Sequence, residues 1–80
     1  MDRMQIEKTF REILSKRLPA VKPESIDPEA DLATLGVDSL AFSWIVADVE
    51  DTFDFVIRGT DVMKLHTLSS AVDYVEKRLK

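Results

Sequence analysis

The sequence predicts an all-α fold, an antiparallel four-helix bundle with a long loop between helices one and two and a short third helix. Three observations point there. Apolar residues recur at three- and four-residue intervals in separate segments, no segment alternates with period two long enough to suggest a sheet, and the intervening connections are polar or carry proline. The 80 residues, taken as one domain over 1–80, contain no repeat, low-complexity tract or linker. A domain this small buries only about 60 to 65% of the surface its unfolded chain exposes, too little for both a core and a large enclosed active site. A module acted on by other proteins is the expectation.

In the first segment Ile6, Phe10, Ile13, Leu14 and Leu18 form a helical stripe, which Pro19 stops. From Ala20 to Val37 the chain holds Pro23 and Pro28 and scattered apolar residues without sustained periodicity. A structureless loop of that length is unusual in a compact domain, so Val21, Ile26, Leu32, Leu35 and Val37 are expected to pin it across the bundle, with one short helical turn around Glu29 to Leu35. The second helix should run from Asp38 or Ser39 to Thr52 or Phe53, turning Phe42, Val46, Val49 and Phe53, with Ile45 beside them, toward the core. Thr60 or Asp61 is a candidate N-cap for a short turn holding Val62 and Leu65. Thr67 caps the last helix, whose apolar positions are Leu68, Ala71, Val72, Val75 and Leu79. Lys77, Arg78 and Lys80 suit the negative end of its dipole.

Composition excludes several functions. With no cysteine there is neither a disulfide framework nor a thiolate zinc site, and any thiol chemistry has to be imported. No metal-ligand spacing or glycine-rich phosphate loop appears. No stretch spans a bilayer and the N-terminus carries no signal-like apolar run, so a cytoplasmic protein is expected. The net charge of −4 is unevenly spread: residues 23 to 57 carry nine acidic side chains and no lysine or arginine, while both flanks are net basic. Nucleic-acid binding needs the opposite sign. Proteins with basic docking surfaces are the expected partners. His66, the only histidine, reads as a solvated turn residue, since no triad motif or nucleophile elbow accompanies it.

The stretch Leu35-Gly36-Val37-Asp38-Ser39-Leu40 ends the long loop and opens the second helix with a serine hydroxyl at the junction. It resembles the phosphopantetheine attachment motif of acyl carrier proteins, Leu-Gly-X-Asp-Ser-Leu, at all five specified positions, and the chain shares that family's length, acidity, helix order and loop pattern. The resemblance implies that a phosphopantetheinyl transferase esterifies Ser39 with a covalent 4′-phosphopantetheine, whose thiol then carries acyl groups as thioesters. The helix N-terminus favours the charge of the resulting phosphodiester. Asp38 reads as an N-cap carboxylate that the transferase also recognises. Gly36 supplies a backbone conformation or a close approach that a Cβ would hinder, and Leu40 supports the arm or a partner contact.

The resemblance further implies a monomeric carrier, not itself an enzyme, exchanging acyl cargo with loading and transfer enzymes in fatty acid, polyketide or specialised lipid biosynthesis. One departure stands out. Common fatty-acid-synthesis carriers have an acidic residue where this chain has Trp44, which favours a dedicated pathway. The outward face of the second helix is read as the partner surface, with Asp48, Glu50 and Asp51 giving attraction and Trp44 a short-range anchor. Two alternatives remain open. One is a peptidyl or aminoacyl carrier, which the missing Gly-Gly before the Asp-Ser pair disfavours; the other is an unmodified acidic helical adaptor in which Ser39 only caps a helix.

Overall fold

Asp2 begins the fold by capping helix α1 (Arg3–Arg17), accepting from the Gln5 N–H at 2.9 Å while the Gln5 side chain accepts from the Asp2 N–H at 3.0 Å. This computed structural model describes residues 2–79, so the dipole role expected of Lys80 lies outside the described residues. The α1 stripe buries Ile6, Phe10, Ile13 and Leu14, and Leu18 ends the helix before Pro19. Helix α2 (Ser39–Phe53) and helix α3 (Leu68–Arg78) both pack on α1. A 3₁₀ helix over Gly59–Leu65 completes the four-helix bundle by packing on α3. Among the described residues there is no strand, only an isolated bridge between Asp31 and Thr67.

The long connection is pinned as expected, by buried Ile26, Leu32 and Val37. Its ordered turns are 3₁₀ segments at Pro23–Ser25 and Leu32–Leu35. Arg11 of α1 holds the first part, donating to the carbonyls of Pro23 and Ile26 at 2.8 and 2.9 Å. The start of α3 holds the second: Leu32 N–H donates to the His66 carbonyl and Ser69 N–H to the Pro28 carbonyl, both at 2.9 Å. Backbone groups that water would otherwise satisfy are thus paired with neighbouring elements, which is what lets so long a loop order.

Two expectations need correction. Ile45, Val49 and Phe53 form the buried stripe of α2, whereas Phe42 and Val46 are only half-buried and flank it. The helix is therefore rotated slightly from the expected phase, toward Ile45, with Val49 at the centre of the buried stripe. Neither Thr60 nor Asp61 caps the short helix, which has no side-chain cap; the Asp61 carboxylate instead accepts from the Tyr74 hydroxyl at 2.9 Å. Tyr74 belongs to an aromatic run in which Phe10 stacks on Phe53, Phe53 on half-buried Phe55, and Phe55 meets Tyr74 edge-on, with centroids 6.1, 6.4 and 6.2 Å apart. Thr67 caps α3 as expected, reciprocally with Ser70.

Candidate functional site

The junction between the long loop and α2 is built by three consecutive backbone decisions. Gly36, at φ 95°, closes the Leu32–Leu35 turn in the left-handed region. No atom lies within 4 Å of where its Cβ would stand, so the glycine meets a demand of conformation and not of close approach. Val37 then drives its side chain into the core. Asp38 adopts an extended backbone and accepts from the Ala41 N–H at 2.8 Å, capping α2.

Ser39 is consequently the first residue of a 15-residue helix, and its side chain is exposed. Asp38 satisfies the Ala41 N–H by its side chain and the Phe42 N–H by its carbonyl, at 2.8 Å each. Among the described residues no acceptor meets the N–H groups of Ser39 and Leu40. Two donors and the positive end of the helix dipole therefore remain at the end that carries the hydroxyl, a setting that suits a phosphodiester on Ser39. A shallow surface groove of about 250 Å³ adjoins it, lined among others by Leu32, Val37, Asp38, Phe42, Met63 and His66.

His66 is exposed, with its Nδ1 2.9 Å from the Met63 carbonyl oxygen. It shares the groove with Ser39, a neighbourhood that its sequence position did not announce. Among the described residues no cluster of potential metal ligands occurs and no helix is long and apolar enough to cross a membrane.

A model of the phosphopantetheine attachment site family matches residues 8–75. The chain belongs to this family of phosphopantetheine-bearing acyl carriers. The carrier is 34% identical over 76 residues to an acyl carrier protein of Desulforapulum autotrophicum, covering 94% of this chain and 99% of that one. It is 29% identical over 75 residues to an acyl carrier protein of Syntrophus aciditrophicus, with 94% of each covered. In fold it is similar to a free-standing peptidyl carrier protein from Acinetobacter baumannii, with a TM-score of 0.84, 24% identity and coverage of 99% of this chain and 98% of that one. The acyl carrier protein of Enterococcus faecalis superposes with a TM-score of 0.81 at 24% identity, covering 96% and 98%. The cofactor of the family is covalent 4′-phosphopantetheine, and a carrier of this kind interacts with modifying and acyl-handling enzymes.

The residues expected to face partners divide. Trp44 and Asp51 lie exposed on the outward side of α2. Asp48 does not face outward: both of its oxygens accept from the Arg17 guanidinium of α1, at 2.8 and 3.0 Å. That hydrogen-bonded ion pair holds the Asp48 carboxyl below its ordinary value, against the opposing effect of partial burial. Glu50 is turned toward the chain that follows α2, accepting from the Ile57 N–H at 2.7 Å. Arg17 escaped the sequence reading because it lies 31 residues from Asp48 and no local spacing rule connects them.

Proposed function

We propose that Ser39 is the attachment point of the arm and that the protein is a non-catalytic carrier holding acyl or related carboxylic intermediates as thioesters. The observation that carries the reading is the exposed hydroxyl on the first residue of α2, beside two N–H donors without protein acceptors. In the loading step the Ser39 oxygen forms a bond to the phosphorus nearest the pantetheine of coenzyme A. The pyrophosphate P–O bond breaks, adenosine bisphosphate leaves, and the serine proton passes to a base on the transferase. Asp38 shapes the helix start for that enzyme, Gly36 sets the turn that presents it, and Leu40 contacts the arm or the enzyme. We place the protein in the cytoplasm as a monomeric single domain that serves a dedicated biosynthetic pathway.

Intact mass after incubation with coenzyme A and a broad-specificity phosphopantetheinyl transferase tests the assignment. Wild type should gain one phosphopantetheine and Ser39→Ala none. Because Asp38, not Ser39, supplies the cap, Ser39→Ala should leave the melting transition within about 0.5 kcal/mol of wild type. An unmodified wild type, or an arm located on Ser25 or Ser43, overturns the assignment.

A further inference from the structure

Any enzyme that loads Ser39 has to cover the first turns of α2, so the side chains exposed there decide which partner surface fits. This inference rests on the Ser39 reading above. The acidic sequence around the motif suggests a basic partner, but two of the three carboxylates expected on that face are engaged inside the chain, Asp48 by Arg17 and Glu50 by the Ile57 N–H. What α2 turns outward beyond Ser39 is Leu40, 58% exposed, Ser43, Trp44, 48% exposed, and Ala47, with Asp51 and Thr52 further along, so Leu40 and Trp44 are its large exposed apolar side chains. Trp44 is also held. The Arg17 guanidinium lies 5.4 Å from its ring centroid and is itself fixed by the two-point pair with Asp48.

An indole restrained in this way, yet about half exposed, loses little side-chain freedom when a partner covers it. Large apolar side chains are uncommon on a surface unless they are scattered singly, and Leu40 and Trp44 are neighbours one helical turn apart. We propose that the enzyme that loads Ser39 docks on Leu40 and Trp44 through an apolar recess and not through a basic surface, with Arg17 and Asp48 acting as positioning residues for the indole. Asp51 lies at the rim of this contact and sets only a minor, salt-screened attraction.

The test measures kcat/KM for arm transfer from coenzyme A by a broad-specificity transferase to apo wild type, Trp44→Ala, Asp51→Lys and Arg17→Met, at about 0.05 and 0.5 M salt. Trp44→Ala should lower kcat/KM about ten-fold relative to wild type at both salts, chiefly through KM, while Asp51→Lys changes it less than about two-fold. Arg17→Met should give an intermediate loss together with a faster-depolarising fluorescence from Trp44, the only tryptophan. A second measurement is independent of turnover: Ser39→Ala carrying 5-fluorotryptophan should shift its single fluorine resonance when the transferase is added. Normal loading of Trp44→Ala, or a large loss in Asp51→Lys that disappears at high salt, overturns the apolar docking face alone. A wild type that takes up no arm overturns the Ser39 assignment and this proposal with it.

Discussion

Gly36 and Asp54 are the residues that enter the left-handed region among those described, with φ of 95° and 58°. They bracket α2, one setting the turn that precedes its cap and the other terminating it. Only the first was legible as a special glycine. An aspartate tolerates this region better than most residues but still carries strain that glycine does not. Opposite responses follow from the same physics. Gly36→Ala should destabilise the fold by about 1 to 2 kcal/mol although the space around it is open, and Asp54→Gly should stabilise it by about 0.5 kcal/mol. Urea unfolding of the two variants checks both signs; a neutral Gly36→Ala would mean that the turn can re-form without a positive φ.

At the scale of elements, the connection leaving α2 shows how a side chain assigned to partners from sequence serves the fold. After Asp54 reverses the chain, Ile57 is buried, and its N–H is satisfied by Glu50 from the last turns of α2. Helical periodicity places Glu50 near the solvent side but cannot reveal an acceptor role toward a residue beyond the helix end. Removing the carboxylate leaves a donor in a half-buried place without its partner, at a cost of about 1 to 3 kcal/mol. Glu50→Ala should therefore lose roughly that much stability and speed amide exchange at Ile57, while Glu50→Gln, which keeps an acceptor oxygen, should stay close to wild type. Equal losses in the two variants would show that charge, not the acceptor, matters there.

Across the whole molecule, a few charged contacts join elements that the apolar core alone does not orient. Arg17 and Asp48 tie α1 to α2, Asp61 and Tyr74 tie the 3₁₀ helix to α3, and Arg3 and Asp73 tie α1 to α3. Two of these titrate in a readable direction. Arg17 holds the Asp48 carboxyl below the ordinary 3.8, and the Tyr74 hydroxyl, with help from Lys64, does the same for Asp61. A carboxyl lowered by folding contributes stability that is whole above its ordinary value and is lost as pH falls through the folded one. Stability should therefore be level down to about pH 5 and decline below about pH 4, and Asp48→Asn should flatten part of that acid limb while starting from a lower plateau. Urea midpoints measured across this range decide the matter, and an unchanged acid limb in Asp48→Asn would remove the pair from the account. Because both groups are partly solvated, the effect at neutral pH is modest.

The sequence by itself determined the helix order, the stop at Pro19, the cap at Asp38 and the serine that follows it, because each depends on residues within a turn or two of one another. The motif was legible for the same reason: its turn, cap and hydroxyl are consecutive. Three things were decided by tertiary structure alone: the pairing of Arg17 with Asp48, the seating of Arg17 over Trp44, and the closeness of His66 and Met63 to Ser39. Sequence periodicity gives the phase of a helix to within a residue or so, enough to set Trp44 outside and Val49 inside, but it says nothing of what stands opposite. Whether a carboxylate on α2 reaches solvent or a guanidinium depends on where α1 ends after the chain has closed on itself. The acidity of residues 23 to 57 is thus written in the sequence, while the engagement of Asp48 and Glu50 within the chain, beside a Leu40 and a Trp44 that stay exposed, is decided only by folding.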